Sequence, residues 1–216
     1  MSGPRIALIH ALAHSVEPIN AVMARAWPEA IRMNLLDDSL SADLARGGRG
    51  LDGAMHDRFE ALAAYAESTG ARAILFTCSA FGPCIEAVAA RRPGMPVLKP
   101  NEAMIADAAA APGPVGLIAS FAPTLASMPA EFPASVDLRT ALVEPAMAAL
   151  DQGDGAGHDA HVVAAARTLA AGGCRCIALA QFSMARAADA VAVATGLPVF
   201  TTPGSAVARL RRQLGA

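Results

Sequence analysis

One thiol stands where chemistry is expected. Cys78 lies in Leu75-Phe76-Thr77-Cys78-Ser79-Ala80-Phe81-Gly82-Pro83, where an apolar run gives way to small polar residues and then to Gly-Pro. Gly82 and Pro83 suit a turn and the first turn of a helix. A thiol near a helix N-terminus feels partial positive charge, which lowers its pKa and favours the thiolate. The plainer role for a free Cys is that of a small buried apolar group. That role suits Cys84, on the expected helix, and Cys174 and Cys176, which flank a strand entry. A Cys-x-Cys pair needs a second pair of Cys or His to complete a tetrahedral site. None matches, so no metal is expected.

His10 and His14 are four residues apart, but His10 falls in strand or loop. The spacing therefore does not set both on one helical face, and no HExxH accompanies them. Either is placed to bind a carboxylate, to share a proton with Cys78 or to tie down a loop. A thiol hydrolase pairing Cys78 with one of them would need side chains within hydrogen-bond reach. His158 and His161 open a polar helix and are expected to face solvent. Asp37-Asp38-Ser39 reads as a helix cap in preference to a cleft rim. Gly47-Gly48-Arg49-Gly50 lacks the Lys-Ser/Thr ending of a phosphate loop, and no GxGxxG follows a strand. No nucleotide or other cofactor is expected. Arg209, Arg211 and Arg212 read as a solvated end of the last helix that complements its dipole.

The elements that must position these residues alternate. RIALIHAL, AILFTC, PVGLIAS, CIALA and PVFTT are continuous apolar runs of strand length. Strands covered on both faces by helices look like this. Helical stretches lie between them: one after Ser15 as N-cap, then DRFEALAAYAES, then HDAHVVAAARTLAAGG with a Gly pair at its C-cap. The pattern predicts an α/β fold with a mainly parallel sheet.

The chain also matches itself. Residues 6–15 lie over 115–124, pairing Ser15 with Thr124, and 74–78 lie over 177–181, pairing Cys78 with Gln181. Each second match is followed by a helix and then by Pro-Val and a short strand. The preserved order predicts two pseudo-symmetric, doubly wound, Rossmann-like halves facing a central cleft. They are expected at 1–111 and 112–216, joined at Pro112-Gly113-Pro114. Ligands of open α/β sheets bind beyond the carboxyl ends of the strands. That rule selects His10, His14, Ser15, Thr77, Cys78 and Ser79 in the first half, and Ser120, Thr124, Gln181 and Ser183 in the second.

Composition bounds the function. The chain has 216 residues, 54% of them hydrophobic and 17% charged, with a net charge of −2. That balance excludes a disordered chain and offers no field for nucleic acid or anionic lipid. No apolar run approaches the ~20 residues of a membrane span. The opening MSGPRIALIHAL reads as a first strand in preference to a signal peptide. A cytoplasmic protein with four free thiols is expected.

The strand leading into Thr77-Cys78-Ser79-Ala80 resembles the first catalytic-cysteine motif of the aspartate/glutamate/hydantoin racemase superfamily. Gly116-Leu-Ile-Ala-Ser120 with Thr124 resembles its mid-chain strand and turn. Leu179-Ala-Gln181-Phe-Ser183-Met-Ala185 is similar to its second cysteine motif in the hydantoin racemase form, and Pro203-Gly-Ser205 to its terminal helix start. The resemblance spans nearly the whole chain. It implies a cofactor-independent enzyme acting on a small carboxylate or amino-acid-like substrate, often as a homodimer. Members racemise amino acids or hydantoins, isomerise maleate or decarboxylate arylmalonates through a carbanion, an enolate or a thiolate adduct. It implies that Cys78 and Gln181 take the catalytic positions. It also implies that His10, Ser15, Thr77, Ser79, Ala80, Ser120, Thr124 and Ser183 line the substrate. The family's first cysteine position falls on Cys78 or, one residue earlier, on Thr77.

The second position departs from the family. A neutral amide is no practical general base, so two-thiol racemisation is in doubt. One-sided decarboxylation or isomerisation through Cys78 stays open, as does a non-catalytic protein that binds a small acid.

Overall fold

A computed structural model describes residues 3–47 and 50–216. The chain divides into two compact units, Met1–Pro100 with Ala206–Ala216, and Asn101–Ser205. Gly48 and Arg49 of the glycine-rich loop lie outside the described residues.

In the first unit β1 (Arg5–His10) leads through α1 (Val16–Ala26) to β2 (Ile31–Leu36). Helices α2 (Ser39–Gly47) and α3 (Gly53–Ser68) precede β3 (Ala73–Phe76), and α4 (Gly82–Ala90) precedes β4 (Val97–Leu98). The four strands are parallel, in the order β2-β1-β3-β4. Strands β1 and β3 are inner strands and are buried almost throughout, as their unbroken apolar runs require. Strand β2 is an edge strand and alternates between half-buried and exposed residues. Asp52 starts α3 by accepting the Met55 N–H, and Phe59 on that helix enters the core against Phe76 and Phe81.

The second unit opens with α5 (Glu102–Ala110). Then follow β5 (Val115–Ala119), α6 (Ala122–Ser127), β6 (Leu138–Leu142), α7 (Glu144–Asp151), α8 (Gly155–Ala171), β7 (Cys176–Leu179), α9 (Ala188–Thr195) and β8 (Val199–Thr201). Helix α10 (Thr202–Leu214) carries the chain on into the segment counted with the first unit. This sheet is also parallel, in the order β6-β5-β7-β8. Gly116 lets α8 approach β5 closely, because a Cβ there would stand 3.0 Å from a Leu169 methyl. Among the described residues no helix is long and apolar enough to cross a membrane.

The expected boundary at residues 111 and 112 is displaced. Helix α5 buries Met104, Ile105 and Ala108 in one core with Val115, Leu117 and Cys176. It therefore belongs with the sheet it precedes, not with the strand it follows. At the other end Arg211 donates to the Ala26 carbonyl, inside the first unit. That arginine is thus engaged with backbone and is not simply a solvated charge.

Two further expectations are resolved in the helices. Asp37 accepts the Ser39 N–H, the capping role read from Asp-Asp-Ser. His158 is fully buried, contrary to the solvent-facing reading. Its position, Val162 and Ala166 recur every four residues and form the inward face of α8. His161 lies off that stripe and is exposed.

Candidate active site

The two sheets share one hydrogen-bond register. Ile6 to Ile9 of β1 stand opposite Ala73 to Phe76 of β3. Val115 to Ile118 of β5 stand opposite Cys176 to Leu179 of β7. One step beyond, the Thr77 N–H donates to the Ile9 carbonyl at 3.0 Å, and the Ala180 N–H donates to the Ile118 carbonyl at 2.9 Å. Thr77 therefore matches Ala180, and Cys78 matches Gln181. Both of the latter have extended backbone, with φ −126° and −120°, and each enters a 3-10 turn.

In the first unit Phe59, Phe76 and Phe81 pin both ends of the Cys78 segment. The Phe59 ring lies 5.2 Å from Phe76, just before the segment, and 4.9 Å from Phe81, just after it. Cys78 packs against this core and is partly buried. A 3-10 turn, Ser79–Phe81, separates it from α4. The expected lowering of its pKa by a helix N-terminus is overturned. Burial raises the Cys78 thiol, and the Ala80 backbone N–H and the Ser41 hydroxyl only partly oppose this. Ser79 and Ala80 are exposed beside it, and Ser15 is buried. Ser15 caps α1 by position, but its side chain makes no cap hydrogen bond.

The resemblance puts His10 among the substrate contacts. Its side chain is fully buried, with Nδ1 2.9 Å from Thr77 Oγ1 and Nε2 3.0 Å from Asn34 Oδ1. Burial lowers its pKa, against the opposing hydrogen bond to Asn34. Both nitrogens are committed, so His10 has none left to activate Cys78, and it supports Thr77 instead. His14 is exposed.

In the second unit the Ser120 N–H donates to Gln181 Oε1 at 2.9 Å. This bond joins the ends of β5 and β7 and orients the amide, leaving Nε2 as a donor. Ser120 Oγ is buried and has no partner within the chain. A buried hydroxyl without a partner is costly, which marks it as a group able to take a ligand oxygen. Thr124 and Ser183 are half-buried. Cys174 and Cys176 are buried packing residues, and Cys84 sits in the first unit's core.

The structure adds residues that sequence reading missed. Ser41, on α2, reaches Cys78, but nothing in its helix marks it. Asn34 lies in the edge strand, where alternation predicts a polar residue without saying what it would meet. Thr202, at the start of α10, buries a hydroxyl without a partner. A cavity of about 480 Å³, lined by Pro4, Arg5, Ile31 and Arg72, lies at the amino ends of the first unit's strands and contains none of the candidate residues. Among the described residues no group of three or more His, Cys, Asp or Glu could hold a metal ion.

No protein-family model matches the sequence, and no curated protein matches it. Solved structures do resemble the chain. An aspartate racemase from Picrophilus torridus matches with a TM-score of 0.69 at 11% identity, covering 99% of this chain and 95% of that one. An allantoin racemase from Klebsiella pneumoniae also gives 0.69, at 19% identity, over 99% and 88%. An unliganded arylmalonate decarboxylase gives 0.66 at 16% identity, over 99% and 94%. At these identities the likeness establishes a shared fold.

Proposed function

We propose that the chain is a cofactor-independent enzyme of the aspartate/glutamate/hydantoin racemase superfamily. It acts on a small carboxylate or amino-acid-like substrate through Cys78. The observation that carries this reading is the shared register of Cys78 and Gln181 at matching strand ends. One end carries a group that exchanges protons and the other a neutral amide.

The raised thiol favours one-sided chemistry. Cys78 is protonated at neutral pH and serves as a proton donor. In a decarboxylation of the arylmalonate type, the bond from the α-carbon to one carboxylate breaks and CO₂ leaves. The electron pair stays on the α-carbon and is delocalised into the remaining carboxylate. The Cys78 S–H proton then passes to that carbon, and the thiolate regains a proton from water. Gln181 Nε2 and the Ser120 hydroxyl are suited to hold carboxylate oxygens, as charge-assisted hydrogen bonds are stronger than neutral ones. Thr124, Ser15, Ser79, Ala80 and Ser183 complete the proposed lining. His10 and Thr77 act behind it.

A screen in D₂O over amino acids, hydantoins, maleate and substituted malonates tests the reading, with circular dichroism and CO₂ release as readouts. The expected result is turnover of a carboxylate substrate, with deuterium at the reacting carbon. Binding of small acids without exchange or turnover across the panel would instead support a non-catalytic acid-binding protein.

A further inference from the structure

A chain of hydrogen bonds runs from α1 to Thr77, and its direction can be read. It starts at the Val16 carbonyl, which only accepts. The Asn20 amide group 2.7 Å from it is therefore the nitrogen. Asn20 and Asn34 lie side by side, with Asn20 Nδ2 2.8 Å from Asn34 Oδ1 and Asn34 Nδ2 3.2 Å from Asn20 Oδ1. This arrangement turns the Asn34 oxygen toward His10 Nε2. An amide oxygen only accepts, so Nε2 carries the proton. In the neutral ring Nδ1 is then an acceptor, and the Thr77 hydroxyl donates to it at 2.9 Å. The Ile9 carbonyl, at 3.4 Å, is the poorer acceptor for that one proton.

We propose that Val16, Asn20 and Asn34 fix His10 as its Nε2–H tautomer, and that His10 thereby anchors the Thr77 side chain and positions Cys78. Thr77 is then held twice, by its N–H on Ile9 and by its hydroxyl on His10. The residue bonded to it in the chain is Cys78, so both anchors act on the backbone that carries the thiol. Thr77 and His10 are positioning residues, and Thr77 has no hydroxyl proton left for a substrate. The bearing on catalysis rests on the assignment of Cys78 above, but the relay can be measured without turnover.

The test is a long-range ¹⁵N–¹H spectrum of the folded full-length protein at neutral pH, together with iodoacetamide alkylation of Cys78. The expected spectrum shows His10 as the Nε2–H tautomer. Asn34→Leu, which removes the acceptor, should populate the other tautomer. Thr77→Val should raise the Cys78 alkylation rate roughly three- to tenfold, the worth of one lost hydrogen bond, and Thr77→Ser should restore it. If Thr77→Val does not fold, the wild-type tautomer and the Asn34→Leu spectrum decide alone. An Nδ1–H tautomer in the wild type would overturn the relay. So would a Thr77→Val protein that is folded and alkylates like wild type. Neither result depends on whether the chain is an enzyme.

Discussion

Cys78 and Gln181 occupy the same register position in two sheets of the same strand order. The residue before each donates its N–H to the matching carbonyl of the neighbouring strand, Ile9 in one sheet and Ile118 in the other. A thiol and an amide thus stand at equivalent strand ends, and the chemistry proposed above follows from their difference. The thiol has a proton to give and can regain one from water, while an amide only directs hydrogen bonds.

Substitutions at Gln181 separate its two roles. Gln181→Leu leaves the Ser120 N–H without its acceptor and should cost about 1–3 kcal/mol if the group stays dry. Gln181→Glu keeps the acceptor and should retain more of the stability by denaturant titration. Gln181→Cys supplies a second thiol at the matching position. On a chiral substrate this variant is expected to gain racemisation. An unchanged product profile, in a variant that is folded and binds substrate, would argue against Gln181 as the second catalytic position.

The pH dependence has a defined sign. Burial raises the Cys78 thiol above its ordinary value. Alkylation, which needs the thiolate, should be slow at neutral pH and accelerate with a midpoint above that of an ordinary Cys thiol. Turnover that uses the thiol as proton donor should run the opposite way. It should hold at neutral pH and fall as pH rises through the same midpoint. Rapid alkylation at pH 7 would favour nucleophilic thiolate chemistry over proton donation.

Phe59 links stability to the site. It is 2% exposed and touches both aromatic rings that bracket the Cys78 segment. Phe59→Ala should destabilise the first unit by about 3–5 kcal/mol. In protein that remains folded, Cys78 should alkylate faster. Loss of stability without a change in alkylation would mean that the rings do not hold the segment.

Much of the fold was legible in the sequence because inner parallel strands leave unbroken apolar runs, as β1, β3, β5 and β7 do. The pairing of Cys78 with Gln181 was legible only to within one residue, since the spacing to the following Pro-Val differs by one between the halves, and the strand pairing fixes it. The roles of the buried polar groups were not. His158 sits in a stretch rich in polar and small residues, and only the four-residue recurrence through Val162 and Ala166 shows that it points inward. The structure places His10 behind the strand ends because Asn34, on the neighbouring edge strand, lies close enough to receive its N–H. Nothing local to His10 announces a partner 24 residues away. Nearness to a helix predicts a lowered Cys78 thiol. The intervening 3-10 turn and the burial reverse that sign. Chain segments also exchange between the units: α5 packs with the sheet it precedes, a preference that the Pro-Gly-Pro punctuation at 112–114 does not record.

Of the four thiols, Cys78 alone is proposed to carry the chemistry. The most direct test of this is turnover of wild type and of the single Cys→Ala variants at 78, 84, 174 and 176. The measurement is deuterium incorporation at the reacting carbon in D₂O, on the best substrate from the screen. Cys78→Ala should abolish incorporation while the protein stays folded. The variants at 84, 174 and 176 should keep it, losing about 1 kcal/mol of stability each, as small buried truncations do. Full incorporation by folded Cys78→Ala would mean that Cys78 is not the catalytic group.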